Sequence, residues 1–229
     1  MSASERHTRV AFDDALRSLE DEVLRMGGMV SGLLQRAVAA LQAGDRAAAA
    51  SVVADDAGVD ALHLDIEQRV VALLATQQPM AGDLRVVTSI LGIAIDLERL
   101  GDHAEGIARL APFRGRSSLA RSVVDLSYMT GVVRGMLHDA LEAFTRRDPV
   151  LAQAVATRDA TVDALNEQVF RVLLTHMAEQ PRRLSEAIDL VMAAMRLERA
   201  GDHVTNIAER VVYAATGVLR PLGGSRAPA

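Results

Sequence analysis

Apolar residues recur at every third or fourth position through most of the chain, and this period predicts long helices rather than strands. Proline and glycine interrupt the pattern at a few points, which are the expected turns. Asp45 stands where a new helical stretch begins, and an aspartate there can cap the first backbone N–H groups. Another helix is predicted to begin at Asp148, because Pro149 directly after it fits the first position of a helix. The six predicted helices cover about 11–43, 45–75, 83–110, 119–145, 148 to a turn at 180–181, and from that turn to 215.

The second half of the chain repeats the first. The first two helices recur 103 positions later and the third recurs 100 positions later, so the turn near Pro181 is about three residues shorter than the turn near Pro79. The matched pairs include Gly28 and Gly131, Gly32 and Gly135, Ala37 and Ala140, Asp45 and Asp148, Asp56 and Asp159, and Asp60 and Asp163. A length change confined to a loop is expected of a duplicated unit. The sequence therefore predicts an all-α protein made of two tandem three-helix bundles.

A stretch with proline, glycine and serine, PFRGRSS at 112–118, separates the two halves. This break is the predicted domain boundary, with a first repeat over 1–112 and a second over 116–216. The last stretch, 217–229, is rich in glycine and proline, and it is predicted to be disordered.

Two nearly identical stretches, LERLGDHAEGIA from Leu97 and LERAGDHVTNIA from Leu197, repeat charged residues that a helical core does not require. Each holds a glutamate and an aspartate four residues apart, on one helix face. The preceding helix carries two aspartates with the same spacing, at matching distances from the proline in the turn. An antiparallel hairpin therefore brings four carboxylates to similar heights in each bundle. The candidate metal ligands are Asp56, Asp60, Glu98 and Asp102 in the first half, and Asp159, Asp163, Glu198 and Asp202 in the second.

Carboxylates crowded in this way repel one another unless they are paired or bind cations. A set of oxygen ligands suits hard cations such as Mg²⁺, Ca²⁺, Mn²⁺ or ferric iron. We expect a metal ion cluster, of iron or else of manganese, zinc or magnesium, with the metal's identity left open. The other interpretation is that the acids form surface salt bridges with Arg99, Arg199 and their neighbours. Glycines of the first helix of each half fall at similar heights, and either leave room for an ion or allow close helix packing. These are Gly28, Gly32, Gly131 and Gly135.

The composition narrows the class of protein. Half of the residues are apolar and only 3% are aromatic, which is typical of packed helices. Without cysteine, neither disulfides nor thiolate metal sites can form, and a formal net charge of −5 argues against nucleic acid as a partner. Nothing resembles a signal peptide, and the longest apolar stretch, VTSILGIAID, is far shorter than the roughly 20 residues of a membrane span. We expect a soluble, cytoplasmic protein.

His138 and Asp139 spell the HD pair of metal phosphohydrolases. Gln35 and Arg36 stand at the repeat position, and no ordered series of further ligands accompanies the pair. No phosphate-binding loop, nucleophile elbow or nucleophile–base series is present either. The HD pair is interpreted as accidental, and the chain is not expected to be an enzyme.

Taken together, these residues resemble the PhoU family of phosphate-transport regulators. The resemblance rests on ERLGDHAEGIA and ERAGDHVTNIAE, on DAGVDAL and DATVDAL, and on LLATQQPMAGDLR, and it spans about residues 8–215. It implies two three-helix bundles, each with a pair of E(D)xxxD motifs that can bind iron or other metal clusters; the motif positions are the eight acids named above.

The resemblance also implies a negative regulator of phosphate uptake and of the phosphate-starvation response. Such a protein would couple the ATPase subunit of the high-affinity phosphate ABC transporter to a membrane sensor histidine kinase. It would lie in the cytoplasm, or peripherally at the inner membrane through these partners. Metal clusters on exposed bundle faces could also bridge two copies into a homodimer.

Two departures from the family pattern bear on the sites. The family commonly has asparagine four residues after the motif aspartate; Asn206 keeps it, whereas Gly106 replaces it in the first half. The second turn, AEQPRRLSEAID, also lacks the DLR of MAGDLR. We expect the second site to keep an extra oxygen ligand that the first lacks.

Two other classes of function stay open as alternatives. Carboxylate-lined bundles also serve in metal storage or as di-iron oxidases, but those usually use Glu-x-x-His pairs, whereas this chain spaces its acids by four. A phosphohydrolase would rest on the lone HD pair. A metal-binding or storage bundle without a signalling role is therefore the main alternative to a regulatory adaptor.

Overall fold

In the computed structural model, which describes residues 3–111 and 125–222, the chain is helical, and no strand occurs in those ranges. The helices are α1 (Ala3–Ala43), α2 (Arg46–Gln77), α3 (Ala81–Ala108), α4 (Leu126–Arg146), α5 (Pro149–Thr157), α6 (Asp159–Glu179) and α7 (Leu184–Thr216). The predicted all-α class is confirmed. The predicted boundary segment, 112–118, lies outside the described residues. None of the described helices is long and apolar enough to cross a membrane.

The predicted cap at Asp45 forms, and Asp148 caps its helix in the same way. The Asp45 side chain accepts hydrogen bonds from the Ala47 and Ala48 backbone N–H groups, both at 3.0 Å. The Asp148 side chain likewise accepts hydrogen bonds from the Val150 and Leu151 backbone N–H groups of α5, at 2.9 and 3.1 Å. These bonds satisfy N–H groups that have no partner inside the helix, so each cap fixes where its helix begins.

The helices pack as two bundles joined by one broad contact. α1, α2 and α3 form the first bundle, and α4 to α7 form the second. The bundles meet chiefly where α3 lies against α7, and also where α1 lies against α4. Buried apolar side chains form one continuous cluster through both halves. The two repeats therefore share a core rather than folding around two separate ones.

The helix predicted from Asp148 to the turn at 180–181 breaks at Arg158, which separates α5 from α6. The Arg158 backbone N–H donates to the Val155 carbonyl, three residues back, at 3.0 Å, and this tighter bond interrupts the α-helical ladder. The Arg158 guanidinium lies above Gly135 and pairs with Asp139 on α4 at 2.5 Å. The break therefore accompanies a contact between helices, which the local pattern could not signal.

The end of α7 is followed by a short segment that lies against the helix. Gly217, with φ of 78°, adopts the left-handed conformation that ends helices. The Leu222 backbone N–H then donates to the Glu209 carboxylate at 2.9 Å. This segment belongs to the tail predicted to be disordered; its remaining part, 223–229, lies outside the described residues.

Candidate metal centres

The first candidate site lies where α2 faces α3. Asp56, on α2, is only 5% exposed, and its Oδ1 is buried without a hydrogen-bond partner. A Cβ atom added to Gly101, on α3, would lie 2.6 Å from that oxygen. The Asp56 carboxylate therefore occupies the space that Gly101 leaves free, a role for this glycine that the sequence did not predict.

The acids around Asp56 repel one another, and this repulsion raises their pKa values. Burial is the largest cause of a rise in the Asp56 pKa from 3.8 to about 7, and the negative charges of Asp60, Glu105, Asp102 and Glu98 raise it further. Burial, followed by the charge of Asp102, also raises the pKa of Glu98. The structure thus brings the four predicted acids of this half near one another. It adds Glu105, which was not among the predicted acids although it lies three residues after Asp102, on the same helix face.

The second candidate site, between α6 and α7, repeats this arrangement. Asp159 is 8% exposed, and a Cβ on Gly201 would lie 3.3 Å from its Oδ1. Burial is the main cause of a raised Glu198 pKa, and the charges of Asp202, Asp163 and Asp159 also raise it. The pKa of Asp163 is raised by burial and then by the charge of Asp202. The four predicted acids of the second half are therefore neighbours too.

The acids of each site are close without converging on one point. In the described ranges, no three of the eight bring ligand oxygens within 4.8 Å of one another. In the first half, Arg99 contacts Asp102 at 3.0 Å and Glu98 at 3.5 Å, as the salt-bridge interpretation expects. Metal binding at these acids stays a prediction.

Three ligand atoms do converge within 4.8 Å elsewhere in the described part of the chain, on α4, from His138, Asp139 and Glu142. Asp139 pairs with Arg158, and Glu142 pairs with Arg146 at 2.7 Å. His138 is exposed. The arginines supply the positive charge that these carboxylates attract, so the group is a set of surface ion pairs. The sequence signal for it was the glutamate four residues after the histidine.

Asn206 does not face the second set of acids. Its Nδ2 donates to Asp96 Oδ1 on α3 at 3.1 Å, and the same oxygen lies 2.9 Å from Nδ1 of His203. The side chain expected to supply an extra oxygen ligand is instead engaged in the contact between the two halves. The centroids of the His103 and His203 rings lie 5.4 Å apart in this contact. Burial is the main cause that lowers the His103 pKa to about 4.

The first-helix glycines differ from one another in what surrounds them. A Cβ on Gly28, Gly32 or Gly131 would meet no atom within 4 Å, so close packing requires none of these three. Gly28 lines a groove between α1 and α4, on the side of the bundle that faces the other half. At a different residue, Gly27, the Leu141 side chain packs into the space that a Cβ would take.

Fold and site together define a class of protein: a duplicated helical bundle in which the last two helices of each half gather acids around a glycine. The model of the PhoU domain family matches the chain twice, over residues 23–111 and 126–211. The chain belongs to the PhoU family.

Similar proteins extend this match over almost the full length. The phosphate-specific transport system accessory protein PhoU homolog of Zymomonas mobilis subsp. mobilis is 38% identical over 215 residues, which are 94% of this chain and 91% of the relative. The protein of the same name from Caulobacter vibrioides is 39% identical, with 92% of each chain covered. Among solved structures, PhoU from Pseudomonas aeruginosa superposes with a TM-score of 0.81 at 36% identity, covering 90% of this chain and all of that one. The phosphate transport system regulatory protein PhoU from Streptococcus pneumoniae gives 0.82 at 30% identity, covering 91% and 99%.

Proposed function

We propose that this protein is an accessory regulator of phosphate transport, which restrains phosphate uptake and keeps the phosphate-starvation response off while phosphate is plentiful. The observation that carries the proposal is the match of both halves, at 38% identity over 94% of the chain, to a protein named for the phosphate-specific transport system. The helical surfaces contact the ATPase subunit of the phosphate ABC transporter and a sensor histidine kinase. Partner binding, not catalysis, delivers the signal. The protein works in the cytoplasm, at the inner membrane when bound to its partners, and a homodimer is one form it can take.

Each half also holds a metal ion cluster under this proposal. The buried, unpartnered Oδ1 of Asp56 and the mutual repulsion of its neighbours fit a hard cation, which would relieve both. Asp56, Asp60, Glu98 and Asp102 would hold it in the first half. The bound cations would offset the repulsion among these four carboxylates and hold α2 against α3. The second set would be Asp159, Asp163, Glu198 and Asp202.

A deletion strain tests the regulatory role. With the gene removed, a reporter driven by a phosphate-starvation promoter should become active at high phosphate, and the wild-type gene should restore repression. The purified protein should retain the transporter's ATPase subunit and the sensor kinase in a binding assay. A reporter that stays silent in the deletion strain would contradict regulation and favour metal storage. Loss of transporter binding with unchanged signalling would contradict the coupling of the two partners.

Metal content tests the second part of the proposal. Protein purified without chelators should contain iron, manganese, zinc or magnesium by mass spectrometry, and the double variant Asp102→Ala, Asp202→Ala should lose most of it. Asp65→Ala is the matched control, because Asp65 is an exposed acid on α2 that pairs with Arg69. Equal metal in the double variant and the control would exclude these acids as the ligands.

A further inference from the structure

One position makes the two candidate sites chemically unequal. Glu105 lies three residues after Asp102 and seven after Glu98, on the same face of α3. At the repeat offset of 100 residues, the second half has Thr205. One half therefore presents a carboxylate where the other presents a neutral hydroxyl group.

Glu105 lies within reach of the centre of the first site. The Asp56 carboxylate is seated on Gly101, which is one helical turn before Glu105. Among the charges that raise the Asp56 pKa, that of Glu105 follows only that of Asp60. Gly101 lies three residues after Glu98 and four before Glu105, so the seat of Asp56 falls between these two acids along one face of α3.

The present partner of Glu105 can be displaced. Arg109 contacts the Glu105 carboxylate at 2.5 Å, and the Arg109 side chain is 61% exposed. A guanidinium so exposed can turn into solvent without opening the core. The Glu105 carboxylate could then turn to a cation.

The equivalent position in the second half has an uncharged, unsatisfied group. Thr205 is 5% exposed, and its Oγ1 is buried without a hydrogen-bond partner. A hydroxyl oxygen can coordinate a cation weakly, but it contributes no charge.

We propose that Glu105 is a fifth carboxylate of the first metal site, and that the two sites of this chain consequently bind the same divalent cation with unequal affinity, the first more tightly. The inference rests on the proposed metal-binding function. Affinity of oxygen-ligand sites for such cations rises with the number of charged ligands. The residue that makes the sites unequal is therefore Glu105 and not Asn206, whose amide lies in the contact between the halves.

Titration of the metal-free, full-length protein with Mn²⁺ by isothermal titration calorimetry tests the proposal. Wild-type protein should show two classes of site that differ by about tenfold in affinity, since they differ by one charged ligand. Asp102→Ala should abolish the tight class and Asp202→Ala the weak class. Glu105→Thr should weaken the tight class until it approaches the weak one, and Thr205→Glu should strengthen the weak class.

Two further variants separate charge from packing. Glu105→Gln keeps the size of the side chain and should lose affinity as Glu105→Thr does, whereas the exposed control Asp65→Asn should leave both classes unchanged. Thermal unfolding of each metal-free variant verifies that it is folded. An unchanged tight class in Glu105→Gln and Glu105→Thr overturns the inference while the metal sites stand. Absence of Mn²⁺ binding to wild-type protein overturns the proposed metal function itself, and the inference with it.

Discussion

The same contact between helices occurs in both halves with its charges exchanged. In the first half, Arg36 on α1 pairs with Asp55 on α2 at 2.7 Å. At the positions 103 residues later, Asp139 on α4 pairs with Arg158 at 2.5 Å. The duplicated bundle has kept the complementarity of this contact and has not kept the residues that provide it.

A second exchange lies between the halves, where α3 faces α7. Asp96 accepts a hydrogen bond from Asn206. The positions related by the 100-residue offset are Arg196 and Gly106, and the Arg196 guanidinium fills the space that a Cβ on Gly106 would need. The loss of asparagine in the first half is thus explained by the arginine opposite it. Residues in these contacts have diverged in pairs, whereas the motif acids and the glycines beneath them are the same in both halves, and the following variants test that difference.

The largest effect is expected at Asp56 in metal-free protein. Its pKa is raised in the folded state from 3.8 to about 7, so folding favours the protonated form and stability falls as pH rises from about 4 to about 7. At pH 8, Asp56→Asn should be more stable than wild type by an amount on the order of a few kcal/mol. The difference should vanish below about pH 4. Thermal unfolding in a chelator across this pH range measures it; equal stability at pH 8 would show that the Asp56 charge costs nothing.

The motif glycines should respond unequally to alanine. A Cβ at position 101 would lie 2.6 Å from Asp56 Oδ1, whereas one at position 201 would lie 3.3 Å from Asp159 Oδ1. Gly101→Ala should therefore cost about 2 kcal/mol of unfolding free energy. Gly201→Ala should be near neutral, since the gain in helix propensity of about 1 kcal/mol offsets the milder crowding. Urea unfolding compares them, and the Asp56→Ala background should remove the cost at 101 if the carboxylate is its cause.

The exchange between the halves predicts a coupling. Gly106→Asn alone forces Arg196 aside, and Arg196→Asp alone leaves a gap over Gly106, so each should destabilise by about 1 kcal/mol. The double variant recreates the Asp96–Asn206 pair at the other end of the contact. A double-mutant cycle should therefore show a favourable coupling of about 1 kcal/mol. Strictly additive effects would mean that the two positions do not sense each other.

The smallest effect is expected at the charge pair of the first bundle. The side chains of Arg36 and Asp55 are each 49% exposed, so their attraction is weakened by solvent. Exchanging them, as Arg36→Asp with Asp55→Arg, should leave the unfolding free energy within about 0.5 kcal/mol of wild type. Each single variant should be slightly less stable than the exchanged pair. A larger loss in the exchanged pair would show that orientation, and not charge complementarity, is what the fold has kept.

The parts of the fold that local sequence determines were predictable. The helical period and the caps at Asp45 and Asp148 depend on residues within one helix or one hairpin, and the structure agrees with them. The structure also agrees with the repeat offsets. The spacing of the acids likewise predicted that each set would gather between two helices.

The parts that depend on contacts between distant elements were not predictable. The break at Arg158 accompanies a partner on α4, and the direction of Asn206 depends on Asp96, 110 residues away. Gly101 is needed because of an aspartate on another helix. In each case the sequence shows the residue without showing what it will face.

The contact of α3 with α7 resembles a dimer interface enclosed in a single chain, and its residues favour the pairing of two unlike halves. Two copies of the first half would set Asp96 opposite Gly106, without the amide donor that Asn206 supplies, and two copies of the second would crowd Arg196 against Asn206. The two halves expressed as separate proteins should therefore co-purify with each other and not self-associate. Division of the chain would yield two different subunits with a fixed one-to-one stoichiometry.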